Sequence, residues 1–160
     1  MRRGITIVVV LLTAFAMSLP AAATTDMIAF SGEDTLLEVL DPGTEWYSDG
    51  VWHVRGWTGL YDSTSDSSYY EGENVIVANW NLNLANGNGG IWGTSYIELD
   101  EFDGGFAGSW AGSWSSFVWS ARGAARGFGD LDGWQQRYDL QQTGFGTDTA
   151  LGVTFDPGNR

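Results

Sequence analysis

The chain has 160 residues, a net charge of −13, no cysteine and no lysine. The missing cysteines exclude a disulfide framework and thiol chemistry, and the negative field makes nucleic acid and anionic membrane poor partners. Nine tryptophans and a 43% hydrophobic content still give enough apolar material for one packed core.

Residues 1–23 have the form of a secretory signal peptide. Arg2 and Arg3 give a positive start, residues 5–17 an apolar run, and Ala21-Ala22-Ala23 a small-residue cleavage site before Thr24. The run is shorter than the ~20 residues a spanning helix needs; an uncleaved anchor is the alternative. Without cysteine no lipid attachment box is available. The expectation is one domain over 24–160, exported by a bacterium to the periplasm or medium and not inserted in a membrane.

From there the elements follow in chain order. TLLEVL (35–40) reads as a strand ended by the turn Asp41-Pro42-Gly43. VWHVRGWTGL (51–60) is the next strand. Its alternation puts Val51, His53, Arg55 and Trp57 on one face and Trp52, Val54 and Gly56 on the other. DSTSDSSYYEGE (62–73) is polar and reads as a mobile loop. NVIVANWNLNL (74–84) divides into Ile76, Ala78, Trp80, Leu82 and Leu84 against an amide ladder of Asn79, Asn81 and Asn83. NGNGG (86–90) is a hairpin turn, GIWGTSYIEL (90–99) returns, and DEFDGG (100–105) turns again. In GGFAGSWAGSW (104–114), Phe106, Trp110 and Trp114 alternate with Gly108 and Gly112 on one face, while Ala107, Ser109, Ala111 and Ser113 make the other uniformly small. SFVWSAR (116–122) places Phe117, Trp119 and Ala121 together. Trp134, Gln136, Tyr138 and Leu140 alternate in the next strand, and 150–155 closes the chain.

About eight strands with no helix to cover them must bury their apolar face against a second sheet or by closing on themselves. Gly56, Gly59, Gly93, Gly108 and Gly112 fall inside strand patterns. Glycine weakens a flat strand but lets a barrel strand bend, with aromatics covering the gap. The expected fold is therefore all-β: a single antiparallel, up-and-down, eight-stranded, calycin-like β-barrel.

GFGDLDGWQQRYDLQQ (127–142) contains a Gly-x-Gly-x-apolar-acid-Gly turn followed by a strand. It resembles the late strand pair of the allene oxide cyclase and dirigent-type β-barrels. HVRG (53–56) and WGT (92–94) look like elements of bacterial secreted relatives. The resemblance implies an eight-stranded barrel with a cavity and a homo-oligomer, often a trimer. It carries no catalytic residues across, because no matching N-terminal motif occurs here. The glycine spacing is not that of a phosphate loop.

Candidate site residues are few. His53 is the only histidine, and there is no G-x-S-x-G nucleophile elbow. His53 and Arg55 are the polar candidates for catalysis if they project into a barrel mouth; otherwise they are a polar pair on the outer wall. Trp52, Trp80, Trp110, Trp114 and Trp119 are the candidates to line a ligand pocket, against the plainer role of filling the barrel. Glu98, Asp100, Glu101 and Asp103 crowd one turn, as calcium-binding or solvated acids do. No metal site and no cofactor is expected.

Three functions are open. The first is a binding module holding a small apolar or amphipathic molecule in an aromatic lumen. The second is a cofactor-free isomerase or cyclase, and the third a self-associating structural barrel. A pocket with His53 or Arg55 beside a buried carboxylate points to the enzyme, an apolar pocket without titratable groups to binding, and a filled lumen to structure. The acid-rich, lysine-free balance also suits a salty medium, where ions screen self-repulsion. The melting temperature should therefore rise between dilute buffer and molar potassium chloride; a flat profile contradicts this.

Overall fold

The computed structural model describes residues 27–158; the signal peptide and its cleavage before Thr24 lie outside the described residues. Nine strands run in order: β1 (Met27–Asp41), β2 (Thr44–Ser48), β3 (Val51–Ser65), β4 (Gly72–Asn83), β5 (Gly89–Leu99), β6 (Gly104–Ser115), β7 (Val118–Gly129), β8 (Gln135–Gly144) and β9 (Thr147–Phe155). Neighbours in sequence pair antiparallel from β3 to β9. β1 then pairs with both β9 and β3, which closes an eight-stranded up-and-down barrel with no helix among the described residues. β2 stands outside this ring, continuing the line of β1 along β3. Beyond Thr35, β1 has no β9 partner, so its remainder and β2 form an arm against β3 alone.

The barrel fills by pairing rings with glycines. Trp110 is opposite Gly93, Tyr138 opposite Gly123, and Phe30 opposite Gly152. A Cβ at Gly93 would meet the Trp110 ring, one at Gly123 the Tyr138 ring, and one at Gly152 the Phe30 ring. Each ring thus lies flat over the strand beside it, the aromatic cover that barrel glycines call for. Phe106, Trp110 and Trp114 face inward, and Ala107, Ser109, Ala111 and Ser113 are exposed on the outer wall.

Four expectations need correction. Strict alternation grouped Trp57 with His53 and Arg55, but β3 carries a bulge between Val54 and Trp57. Gly56 there has a φ of +72°, and its N–H donates to Asn79 Oδ1 at 3.0 Å. The extra residue inverts the facing of the strand, so Trp52, Val54, Trp57 and Tyr61 all point inward. The segment 62–73 is not a free loop. β3 continues to Ser65, and Tyr70 is buried, stacking on Phe30 at 4.6 Å. Tyr69 stacks on Trp134 at 5.2 Å and tilts against Phe102 at 5.0 Å, so this loop plugs the lower end. Phe117 is not with Trp119 and Ala121 but exposed at the β6–β7 turn, and Leu84 is likewise exposed past the end of β4.

Gly123→Ala should destabilise the barrel by about 1–3 kcal/mol, the usual penalty for overpacking, because the new methyl occupies space held by the Tyr138 ring. Chemical denaturation checks this; an unchanged midpoint contradicts the ring-on-glycine packing.

Candidate functional site

The upper half of the lumen is an open cavity of about 410 Å³. Trp52, Trp57, Trp80, Trp110, Trp114 and Trp119 line it, with Val54, Ile76, Ala78, Ile91 and Leu140. All five tryptophans singled out from the sequence are thus brought to one cavity, and the bulge adds Trp57. Their edges interlock: Trp52 and Trp80 are T-shaped at 5.3 Å, and Trp110 and Trp119 stack at 6.1 Å. The mouth lies between the β1–β2 arm and the β8–β9 turn, edged by Pro42, Glu45, Phe145 and Gly146. Glu45 accepts from Trp52 Nε1 at 3.0 Å and fixes that ring at the entrance. The indole nitrogens of Trp80, Trp110 and Trp114 are buried without a hydrogen-bond partner. Leaving such a donor unpaired costs on the order of 1–3 kcal/mol.

At the floor lies a cluster of buried carboxyls that sequence reasoning missed. Asp34 on β1 faces Asp148 on β9 in the strand register, and they are 0% and 3% exposed. Asp34 accepts from the Ser63 hydroxyl and, at 2.7 Å, from the Tyr70 hydroxyl. Burial raises the Asp34 carboxyl above its ordinary value, against the pull of these donors. Burial also pushes Asp148 up to about 9, with the Asp34 charge adding to the rise. Asp148 therefore keeps its proton at neutral pH, and the residue lines the cavity. The nearby tyrosines Tyr61 and Tyr70 are pushed further above their ordinary value, first by burial and then by the two carboxyls. A signal existed in the sequence: Phe30, Asp34 and Leu36 share one alternation phase.

His53 and Arg55 are elsewhere. Both lie on the outer wall, under the arm. The Arg55 guanidinium donates to the carbonyls of Val54 and Trp80 and to Asn81 Oδ1, at 2.6, 2.9 and 2.7 Å. It lies between the Trp46 and Trp92 rings, 5.2 and 4.7 Å from their centroids. His53 stacks on Trp46 at 4.9 Å. Asn81 Oδ1 already accepts from Arg55, so His53 Nδ1 donates to it at 2.7 Å, and Nε2 accepts from the Ser48 hydroxyl at 3.0 Å. The pair thus serves the wall: Arg55 bonds β3 and β4, while His53, through Ser48 and the Trp46 ring, holds β2 to the barrel. The Asn79, Asn81 and Asn83 ladder is outward too, and two of its amides serve this cluster.

A second concavity of about 440 Å³ lies on the outer wall over Ala111, Ser113, Ser120 and Leu151. Its floor is backbone and short side chains, beside an exposed Arg122–Asp139 ion pair at 2.9 Å, and nothing encloses it. Among the described residues no three of His, Asp or Glu converge as metal ligands, the 98–103 acids included.

No family model matches the chain, and no curated protein is significantly similar to it.

The raised Asp148 value fixes a pH dependence. Between an unfolded carboxyl value near 4 and about 9, the folded protein holds a proton that the unfolded chain has released. Stability therefore falls as pH rises through that window and levels above it, by at most about 1.4 kcal/mol per pH unit for one proton. Asp148→Asn, which mimics the protonated form beside Asp34, Tyr61 and Glu33, should flatten the slope between pH 6 and 9. Denaturant midpoints across that range check it; an unaltered slope places the proton elsewhere.

Proposed function

We propose that the protein is an exported binding domain that holds a small apolar or amphipathic molecule in its lumen. The observation that carries this reading is the open, tryptophan-lined cavity of about 410 Å³, within the size range of small-molecule sites. Six tryptophans supply aromatic faces to the wall and apolar burial the driving force. The unpartnered indole N–H groups favour an occupant that carries an acceptor oxygen among its apolar atoms, reached by small rotations of the rings. The likeness of the 127–142 segment to the allene oxide cyclase and dirigent-type barrels is in keeping with a lumenal ligand.

A specific observation supports a second reading, a cofactor-free isomerase or cyclase. Asp148, which lines the cavity, could deliver its proton to a bound substrate and take one back from the product, with burial and the Asp34 charge keeping it protonated between turnovers. This role belongs to Asp148 and not to His53 or Arg55. The open lumen favours both of these readings over a purely self-associating wall.

N-phenyl-1-naphthylamine, a neutral apolar fluorophore, tests the binding reading. The wild type should bind it with enhanced fluorescence, and Ala78→Trp, which projects a ring into the void, should weaken binding at least tenfold at unchanged strand content. Equal binding by Ala78→Trp and the smaller Ala78→Leu places the probe outside the lumen and overturns the reading.

A further inference from the structure

The two ends of the barrel differ in charge. At the open end, the turns 84–88, 115–118 and 143–146 hold no charged residue. At the plugged end, the turns 66–71, 100–103 and 130–134 carry Asp66, Glu71, Asp100, Asp103, Asp130 and Asp132 among their acids. Among the described residues, the acids exposed near the mouth are Glu38, Asp41, Glu45 and Asp49, all on or beside the β1–β2 arm at one side of it. The uncharged turns present apolar tips instead: Leu84, Phe117, Val118 and Phe145 are all exposed, Phe145 completely.

These tips are held, not loose. Phe117 has a φ of +68°, in the left-handed region that disfavours a bulky residue. It is kept there because its N–H donates to the Gly87 carbonyl at 2.9 Å and its ring packs over Gly87. The Ser116 N–H donates to Asn88 Oδ1 at 3.2 Å. Phe145 projects between Gly144 and Gly146 and edges the cavity mouth. The two-residue hairpin loop needs left-handed backbone at both Ser116 and Phe117, and it holds the Phe117 ring half exposed at the tip.

We propose that this uncharged end docks on a zwitterionic lipid surface, with Phe117, Val118 and Phe145 seated at the headgroup–acyl boundary and the mouth facing the bilayer. Apolar and aromatic tips gain by leaving water at that depth, whereas a carboxylate there would pay heavily for desolvation. The acidic loops point the opposite way and set the orientation. No Lys or Arg lies in the three turns, so nothing attracts them to anionic lipid and the overall field opposes it. An apolar occupant could then pass between bilayer and lumen without crossing water. That transfer rests on the lumen reading above; the docking does not.

Cosedimentation with phosphatidylcholine vesicles, without added ligand, tests the docking. The wild type should partition to these vesicles, and less to vesicles half phosphatidylglycerol. Phe117→Asn with Val118→Thr, which suits the left-handed backbone and stays away from the cavity wall, should lower partition at least tenfold at unchanged melting temperature and unchanged naphthylamine binding. Phe145→Ser, at a wholly exposed position, should lower it independently. Absence of wild-type binding, equal binding by these variants, or preference for the anionic vesicles overturns the proposal. So does dissociation of a wild-type oligomer by the same substitutions in size-exclusion chromatography, which would make the end a contact between copies. Vesicle binding with no naphthylamine binding would leave docking standing and sink only the lumen reading.

Discussion

The fold depends on a seam of four residues. Gly32, Glu33, Asp34 and Thr35 are the only part of β1 paired on both sides, to β9 and to β3. Without that double pairing the sheet would have two open edges and an unburied apolar face, with no helix to cover it. The inward side chain at the centre of the seam is Asp34. It faces Asp148 across one strand pair and Ser63 across the other, and it takes hydrogen bonds from Ser63 and from Tyr70 of the lower plug. One buried carboxyl therefore ties together closure of the wall, sealing of the bottom and the protonation of its neighbour. Burying such a group is costly unless it is hydrogen-bonded, and these donors meet that requirement.

This arrangement divides the lumen. Below, the layer around Asp34, Tyr70, Gln136 and Tyr138 is packed, with space of only about 10 Å³. Gln136 there bonds the Tyr69 carbonyl at 2.7 Å and Thr154 at 3.2 Å. Above, large rings on glycine-relieved strands enclose a void instead of filling it. The same device, a ring over a glycine, thus makes a wall thin enough to coil and aromatic enough to receive an apolar molecule. Asp148 belongs to both halves: it pairs with Asp34 of the seam, and it lines the cavity. That double membership is why one residue bears on stability, binding and any proton transfer.

The alternation in GGFAGSWAGSW and NVIVANWNLNL was enough to orient β6 and β4, because a closed barrel with one apolar face imposes a period of two. The five tryptophans of the cavity were legible for the same reason. Trp57 was not, since a single bulge at Gly56 reverses every side chain after it, and an isolated glycine does not announce which strand will slip. The seam was hidden by composition. SGED precedes the strand read from alternation at 35–40, and its strand character comes from distant partners, 63–65 on β3 and 148–151 on β9. The tyrosines of SDSSYYEGE were outweighed by their polar neighbours, although two adjacent aromatics in a polar loop are a cue that something must bury them. His53 and Arg55 were legible only as a pair, because their task is set by Asn81 and by the rings of Trp46 and Trp92 on other strands.

The central claim is that the upper lumen is an open apolar space and not a packed core. Xenon enters such dry voids and is excluded from filled ones. In crystals under xenon pressure, the account predicts a xenon site among Trp52, Trp80, Trp110 and Trp119, above Asp148. Crystals that show xenon only at the surface, with the tryptophan rings in mutual contact across the lumen, would contradict it.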